Sequence, residues 1–372
     1  MKAPICPVCD RKMNRNGTTS SGRVRWRCRG CNASQVRRID SMAKELEAFL
    51  SWLLSGKTLK DFPGGGRTFQ RKSLALWQYW ALPPIIDEVH DVIYVDGIHL
   101  GRKAVVLIAQ NDQHVLGWYV ARSEKAPAWQ ALMERIAPPL LVVTDGGSGF
   151  EKARQKTWPT TRVQRCTFHA FMNIRSATTT RPRLQAGKEL YTLGKRLLRI
   201  HRREQASIWV KDYIAWTLRW QDFLAQRTIT PEGGWVYTHV RLVQARNTLN
   251  RLISSETLFT FLDPTWEREM PAMTNRIEGA TNAPLRQMLR DHRGLSLTRR
   301  IKAIFWWCYM HTEHPLPPAQ ILKTMPRDTD IEAAYQNITQ PDIKTAILPQ
   351  WGDAITWQEL HHNTRPYTNP WD

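Results

Sequence analysis

Two short apolar runs, each ending at an aspartate that is followed by glycine, constrain the fold of this chain most strongly. Residues 92–95 precede Asp96, and residues 140–144 precede Asp145. A β-branched run of this kind predicts a buried strand, and the glycine predicts its end. A third acidic residue, Glu278, lies far downstream and also precedes a glycine. Because a carboxylate at the end of a buried strand lies at the sheet edge, we predict that the three residues form one site for two divalent ions.

The segment that contains both aspartates alternates predicted strands with predicted helices. Apolar runs and turn residues predict strands at 92–95, 103–109, 115–121, 140–144 and 162–166, and helices at 127–136 and 148–155. Three antiparallel strands, a helix, a strand, a helix and a strand form the ribonuclease H-like order. In that order one aspartate falls on the first strand and another on or just after the fourth, where Asp96 and Asp145 fall. The sequence therefore predicts an α/β fold with a ribonuclease H-like domain.

The charge of the chain indicates its class of partner. It carries 53 Lys and Arg against 33 Asp and Glu, a net charge of +20 with a pI near 10.0. This favours a nucleic acid as the partner, the alternative being a basic protein that is merely soluble. No apolar run reaches the roughly 18 residues of a membrane helix, and the N-terminus lacks a signal-peptide core. We therefore expect a cytoplasmic protein without a membrane partner, whose six cysteines are thiols or metal ligands.

Four cysteines near the N-terminus form two Cys-x-x-Cys pairs, Cys6 with Cys9 and Cys28 with Cys31, separated by eighteen residues. This is the two-knuckle spacing of a structural zinc ribbon, in which four thiolates close a tetrahedral shell around Zn²⁺. A closed shell has no open position, so the zinc is predicted to support folding rather than catalysis. Basic residues crowd the pairs and are predicted to grip the DNA backbone, the alternative being a solvated basic face. The predicted DNA-binding residues here are Arg23, Arg25, Arg27 and Arg37.

The next segment is predicted to be helical. Apolar residues recur at helical spacing over 41–54, a short helix is predicted at 58–62, and a third helix, basic near its start, at 67–80. Three short helices with a basic third one resemble a helix-turn-helix. A small helical linker domain is the alternative.

Beyond about residue 168 the strand pattern stops, and helices rich in Arg, Lys and Trp are predicted up to Glu278. Trp209, Trp216 and Trp220 fall on one helical face, where they form either a hydrophobic core or a platform for stacking bases. From about Pro315 the chain is rich in proline and is predicted to be irregular. The predicted domains are 1–40 (zinc ribbon), 41–82 (helical, DNA-binding), 88–170 plus 271–314 (ribonuclease H-like), 171–270 (helical insertion) and 315–372 (tail).

Four local patterns occur in a fixed order along the chain. Asp96-Gly97 and Asp145-Gly146 follow apolar strands, Cys166-x-x-His169 comes soon afterwards, and Asn275-Arg276-Ile277-Glu278 follows the long insertion. This ordered set, over about residues 91–309, resembles the bacterial insertion-sequence transposases of the Mutator superfamily, which use a DDE catalytic triad. The resemblance implies a transposase that binds terminal inverted repeats, cuts double-stranded DNA and transfers strands into a target. It also implies a homodimer or larger assembly on DNA, in the bacterial nucleoid.

The resemblance implies roles for individual residues as well. Asp96 and Asp145 would coordinate two divalent ions, with Asp96 bridging them, and Glu278 would complete the second ion site. The ions would be Mg²⁺ or Mn²⁺, because carboxylate oxygens suit hard cations. Cys166 and His169 would lie near the active site and organise it or contact DNA. From the residues alone, the alternative for this pair is a buried cysteine and a hydrogen-bonded core histidine.

Basic residues follow Glu278. In a helix, Asn282 and Arg286 share the face of Glu278, so Arg286 is predicted to contact the scissile strand, with a surface salt bridge as the alternative. Further basic residues are predicted to line the DNA channel. They are Arg290, His292, Arg293, Arg299, Arg300 and Lys302.

Two other functions compete with transposition. A ribonuclease H-like nuclease or Holliday-junction resolvase would use the same metal chemistry without strand transfer. A zinc-ribbon regulator derived from a transposase would bind DNA without catalysis, and changes at Asp96, Asp145 or Glu278 would leave its activity intact. The Cys-x-x-His pattern and the long insertion favour the transposase over the nuclease, and the three acidic residues argue against the regulator.

Overall fold

The computed structural model describes residues 3–36, 41–62 and 65–337, and its fold is α/β. Residues 3–36 form a small antiparallel sheet that we call the cysteine module. Its strands are β1 (Asn14–Thr18), β2 (Val24–Arg27) and β3 (Ser34–Val36). The buried residues of its core are Cys6, Met13, Trp26 and Cys28.

The helical segment that follows contains α1 (Met42–Leu53) and α2 (Gly65–Ser73). The predicted second helix is a single 3₁₀ turn at Leu59–Asp61, and the predicted third helix continues after α2 only as a 3₁₀ turn at Leu74–Gln78. The apolar face of α1 packs in one hydrophobic cluster with residues 76–81 and with one face of the central sheet. This segment therefore shares its core with the sheet.

The central sheet has five strands in the order β6-β5-β4-β7-β8. The strands are β4 (Val92–His99), β5 (Val105–Gln110), β6 (Val115–Ala121), β7 (Leu141–Thr144) and β8 (Arg162–Arg165). β4, β5 and β6 pair antiparallel, and β4, β7 and β8 pair parallel. The strands lie within a few residues of the predicted ones because their apolar runs are buried along most of their length.

Helices cover both faces of this sheet. α3 (Ala126–Met133) and α4 (Ser148–Thr157) pack on the face to which Ile93 contributes. Tyr94 contributes to the other face, which α1 and the C-terminal helices cover. Successive residues of a strand point to opposite faces, so a run of consecutive apolar residues fits a sheet that is buried on both sides.

β4 extends beyond the predicted strand. Its pairing with β5 continues to His99, whereas its parallel pairing with β7 stops at Val95 and Thr144. The prediction that Asp96 ends its strand is therefore wrong, because a non-local partner extends the strand past the glycine. Asp96 lies within β4, at the point where β4 loses its neighbour β7. Asp145 follows the last residue of β7, as predicted.

The segment between β8 and Glu278 is mainly helical and has its own hydrophobic cluster. Its helices are α5 (Thr167–Thr178), α6 (Gln185–Leu197), α7 (Arg203–Arg219), α8 (Gln221–Ala225) and α9 (Val240–Ser254). A hairpin of β9 (Arg227–Ile229) and β10 (Trp235–Tyr237) lies between α8 and α9. The prediction that strands stop after residue 168 is therefore wrong.

The tryptophans of α7 form part of this core. Trp209 and Trp216 are buried, and their indole N–H groups donate to the carbonyls of Leu193 (2.8 Å) and Ala186 (3.0 Å) in α6. Trp220 packs at the margin of the same cluster. The core interpretation is confirmed for Trp209 and Trp216, because a fully enclosed indole has no face on which a base can stack.

The chain around and after Glu278 is also helical. Its helices are α10 (Asn275–Ile277), α11 (Ala283–Asp291), α12 (Leu297–Met310), α13 (Pro318–Thr324) and α14 (Asp328–Asn337). Ile321 and Ile331 are fully buried in the cluster that covers the sheet. The prediction of an irregular tail is therefore wrong for α13 and α14, because each presents apolar residues to that core.

The remainder of the predicted tail, residues 338–372 with its three tryptophans, lies outside the described residues. Among the described residues, no helix combines the length and the apolar character that crossing a bilayer requires.

Two basic residues that were predicted to line a DNA channel are buried instead. His292 Nε2 lies 3.0 Å from the last carbonyl of α1, and its ring packs on Trp52. Lys302 is 2% exposed, and its ammonium donates to the carbonyl of Trp77 (2.6 Å) and to Asp328 (2.5 Å). The prediction is wrong at both positions, because these side chains form hydrogen bonds inside the core. A buried cation such as Lys302 requires polar partners of this kind.

We expect Lys302→Ala to lower the free energy of unfolding by about 3 kcal/mol, because it removes the buried cation shared by Asp328 and the Trp77 carbonyl. Urea denaturation followed by tryptophan fluorescence measures the change. Lys323→Ala is the control, since Lys323 is exposed on α13, and we expect it to stay within about 0.5 kcal/mol of the wild type. Equal stability of the two variants would refute this account of Lys302.

Candidate active site

Asp96 is held from two sides at the edge where β7 ends. Its Oδ1 accepts a hydrogen bond from the backbone N–H of Gly97 (2.8 Å), and its Oδ2 accepts one from the side-chain amide of Asn282 (2.5 Å). Asn282 comes from the helical segment that begins near Glu278. The carboxylate of a central strand is therefore fastened to a helix 186 residues later in the chain.

Asp145 lies in a loop that Arg165 and glycine shape. The guanidinium of Arg165 donates to the backbone carbonyl of Asp145, and the N–H of Gly146 donates to the hydroxyl of Thr144 (3.0 Å). Gly146 has φ = +72°, and a Cβ there would overlap the Arg165 guanidinium. Glycine is required at this position both by backbone conformation and by space. Burial lowers the pKa of Arg165, although the charge of Asp145 acts in the opposite direction.

Glu278 begins a π-helical turn, Glu278–Asn282, between α10 and α11. A π-turn widens the helix by inserting an extra residue, and such turns are frequent at functional sites. The widened turn brings Thr281 and Asn282 onto the sheet, where the hydroxyl of Thr281 donates to Gln110 and the amide of Asn282 donates to Asp96. These two bonds position Glu278 over the edge of β4.

Cys166 joins the end of β7 to the segment that leads to Glu278. Its backbone N–H donates to the carbonyl of Thr144 (2.9 Å). Its buried sulfur accepts hydrogen bonds from the backbone N–H (3.3 Å) and the hydroxyl (3.2 Å) of Thr274. Burial alone would raise the pKa of this thiol, but hydrogen bonds from His169 and Thr274 lower it below its usual value.

His169 lies one helical turn beyond Cys166 and contacts Glu278. The His169 Nε2 and Glu278 Oε1 atoms are 3.3 Å apart. The hydrogen bond with Cys166 raises the pKa of His169 to about 9, against the opposing effect of burial. The Cys166–His169 pair therefore touches both the strand end that precedes Asp145 and the side chain of Glu278.

Negative charge accumulates where these elements meet. Burial raises the pKa of Asp96, and the charges of Asp145 and Glu278 raise it further. The structure thus brings together the three predicted acidic residues, although they are far apart in the sequence. An oxygen-rich group of this kind is suited to hard divalent cations.

Sequence reasoning missed Glu124, which lies between β6 and α3. Burial raises its pKa, and the charges of Asp145 and Asp96 also act in that direction. A glutamate in a short polar connection gives no pattern that distinguishes it from a solvated residue. Arg165 was missed as well, because its contact with the Asp145 loop depends on the pairing of β7 with β8.

The four cysteines of the cysteine module form a second candidate site. Their sulfur atoms all lie within 4.8 Å of one another, and among the described residues this is the one group of three or more potential ligands that close together. The two knuckles are built alike: Asp10 N–H donates to the Cys6 carbonyl and Asn32 N–H to the Cys28 carbonyl, with φ of +53° and +57°. Four converging thiols have the chemistry of a tetrahedral thiolate site.

The predicted DNA-binding arginines are exposed where the structure describes them. Arg23, just before β2, and Arg25 and Arg27 on β2 are exposed, while Trp26 is buried in the module core. Arg37 lies outside the described residues. The other two, Arg286 on α11 and Arg293 just after it, are also exposed.

We expect Gly146→Ala to lower the free energy of unfolding by about 2 kcal/mol, because the added methyl group meets the Arg165 guanidinium at a backbone conformation that L residues avoid. Gly147→Ala is a matched control, since Gly147 has φ = −134° and no atom within 4 Å of an added Cβ. Chemical denaturation of both variants measures the difference. An equal effect at the two positions would contradict the proposed contact between Arg165 and the loop.

Part of the chain is similar to known transposases. Residues 86–252 match the family model described as "Transposase, Mutator family", a range that contains Asp96, Asp145, Cys166 and His169 and ends before Glu278. The chain is 27% identical over 103 residues to a transposase for insertion sequence element IS905 of Lactococcus lactis, covering 23% of this chain and 26% of the relative.

A second relative, a transposase for insertion sequence element IS6120 of Mycolicibacterium smegmatis, is 31% identical over 100 residues, covering 23% of this chain and 31% of the relative. The matched region thus spans about a quarter to a third of the length of these curated relatives. The family model and both relatives agree, and the matched part of the chain is similar to transposases of the Mutator family.

Proposed function

We propose that this chain is a DDE transposase that cleaves DNA at the ends of an insertion sequence and transfers the strands to a target. One observation carries the proposal: Asp96, Asp145 and Glu278, from three distant segments, converge at one sheet edge and are held there by Asn282, Arg165 and His169. The similarity of residues 86–252 to transposases of the Mutator family supports this assignment.

The sheet supports a ribonuclease H-like assignment for this domain. Three antiparallel strands followed by two parallel ones, with α3 and α4 on the crossovers, form the order expected for that fold. The proposed domain combines residues 88–170 with 271–314, and residues 171–270 form its helical insertion. The separate hydrophobic cluster of the insertion supports this division.

Divalent Mg²⁺ or Mn²⁺ fits the acidic residues, because hard cations prefer carboxylate oxygens and because burial, together with the charges of Asp145 and Glu278, raises the pKa of Asp96. When bound there, two such ions supply activation of a water or DNA 3′ hydroxyl and stabilisation of the leaving oxygen. Asp96 and Asp145 are the proposed ligands of the first ion, and Asp96 and Glu278 of the second. His169 positions Glu278, and Asn282 orients Asp96.

The cysteine module is the proposed zinc ribbon, with Zn²⁺ held by Cys6, Cys9, Cys28 and Cys31. The exposed Arg25 and Arg27 lie at alternate positions of β2, a spacing of about 7 Å that matches successive phosphates of a DNA strand. The module therefore supplies backbone contacts to the terminal inverted repeats. Residues 41–82, Arg286 and Arg293 are proposed to add contacts, in a dimer or larger assembly that joins two DNA ends.

The test is transposition of a marked element that carries the sequences flanking the gene. We expect products with the wild type and background levels with Asp145→Asn and Glu278→Gln, because an amide is a poor ligand for a divalent ion. Asp222→Asn and Glu204→Gln make the same chemical changes at exposed positions of the insertion and should retain activity. Circular dichroism and a DNA-binding assay check that every variant folds and binds.

The outcomes separate the competing functions. Products that persist in Asp145→Asn and Glu278→Gln would refute the triad. Metal-dependent cleavage without strand transfer, strongest on branched DNA, would favour the nuclease or resolvase. A wild type that binds the repeats but yields neither cleavage nor transfer would favour the non-catalytic regulator.

We expect the purified chain to contain about one zinc ion, because four thiolates complete one tetrahedral shell. Cys28→Ser should lose the metal and weaken DNA binding, since the arginine-bearing strand leads directly into Cys28. Elemental analysis and a gel-shift titration measure the two effects. Cys308→Ala, a buried thiol of α12 outside the cluster, should keep the zinc. Zinc retention in Cys28→Ser would contradict the proposed ligand set.

A further inference from the structure

Glu124 reaches from the β6–α3 connection towards β4. A Cβ atom at Gly97 would overlap the Oε1 atom of Glu124, so the glycine after Asp96 leaves the space that this carboxylate occupies. Gly149, in the first turn of α4, makes room in the same way for the backbone carbonyl of Glu124. Two glycines from separate elements therefore accommodate one glutamate.

His99 holds the same carboxylate from β4, with its Nε2 atom 2.9 Å from Glu124 Oε1. Gly97 and His99 are two positions apart on one strand, so they belong to the same face of the sheet, and Asp96 belongs to the other. Because β4 stops pairing with β7 at Val95, the two faces meet at an open edge beside Asp145. Glu124 therefore approaches this edge from the face covered by α3 and α4.

The surroundings are unfavourable for an additional negative charge. Burial raises the pKa of Glu124, and the nearby charges of Asp145 and Asp96 oppose its ionisation, while His99 favours it. His99 is 61% exposed, and an exposed pair of this kind contributes little. A divalent cation is the partner that would stabilise these carboxylates together.

We propose that Glu124 is a fourth carboxylate of the divalent-ion site and binds the ion shared by Asp96 and Asp145, with Gly97 and His99 positioning it. This proposal rests on the ion site of the proposed function. Glu278 approaches the same edge from the opposite face of the sheet, so carboxylates from both faces would hold the pair of ions. A carboxylate has two oxygens, so one can accept from His99 while the other binds the cation.

The experiment titrates the full-length, zinc-loaded protein with Mn²⁺ by isothermal calorimetry. Glu124→Gln keeps the length of the side chain and can still accept from His99, but it loses the charge. Glu124→Asp keeps the charge and withdraws the oxygens by one methylene. Glu134→Gln makes the same charge change at an exposed position at the end of α3.

We expect both Glu124 variants to bind Mn²⁺ at least about tenfold more weakly than the wild type, and Glu134→Gln to bind within about twofold of it. Without metal, Glu124→Gln should unfold at or above the wild-type temperature, because a repelling charge is removed. This second measurement shows that weaker binding does not arise from misfolding.

Wild-type affinity in Glu124→Gln would overturn the proposal. Weak binding in Glu124→Gln with full affinity in Glu124→Asp would also overturn it, since Glu124 would then act through its charge alone. Asp96→Asn separates this proposal from the proposed function. If Asp96→Asn abolishes binding while the Glu124 variants retain it, only the role of Glu124 fails. If the wild type does not bind Mn²⁺, or if Asp96→Asn binds it equally well, the ion site itself fails, and the role of Glu124 fails with it.

Discussion

Repulsion between carboxylates at one sheet edge is the constraint on which the rest of the site depends. Buried acidic groups of like charge favour separation or protonation, and burial together with the charges of Asp145 and Glu278 raises the pKa of Asp96. The fold resists separation by fastening each group to a different element. Asn282 holds Asp96, Arg165 holds the Asp145 loop, and His169 contacts Glu278. Because these contacts fix the carboxylates, a cation at the proposed site would have little ordering to impose.

The helical insertion separates Asp145 from Glu278 in sequence, yet its junctions with the sheet are rigid. Gln164 is fully buried at one junction, where its amide donates to the carbonyl of Leu258 (3.0 Å) and its oxygen accepts from the N–H of Phe261 (3.0 Å). The hydroxyl of Thr260 donates to the Val163 carbonyl (2.6 Å) beside it. The C-terminal part of the insertion is thus tied to β8. The sequence of the insertion can then vary without moving Glu278, because these hydrogen bonds fix the position of the chain that leads to Glu278.

Sequence patterns predicted the parts of this structure that depend on local composition. The five strands, the cysteine pairs and the buried tryptophans of α7 follow from periodicity and spacing. Features that depend on non-local partners were missed. β4 continues past Gly97 because β5 pairs with it, and Lys302 is buried because α14 brings Asp328 to it. Glu124 belongs to the same class, since the space made by Gly97 exists only after two strands and a connection have come together.

The two proposed metal sites relate to folding in opposite ways. The cysteine module has a core of four buried residues, two of which are the ligands Cys6 and Cys28. A core of this size supplies little hydrophobic stabilisation, so metal binding and folding of the module are expected to be one event. The acidic site lies on a sheet whose two faces are covered by extensive hydrophobic clusters, and its ligands are fastened by hydrogen bonds. Removal of metal should therefore unfold the cysteine module while the acidic site stays assembled, because only the module would depend on its ion for a core.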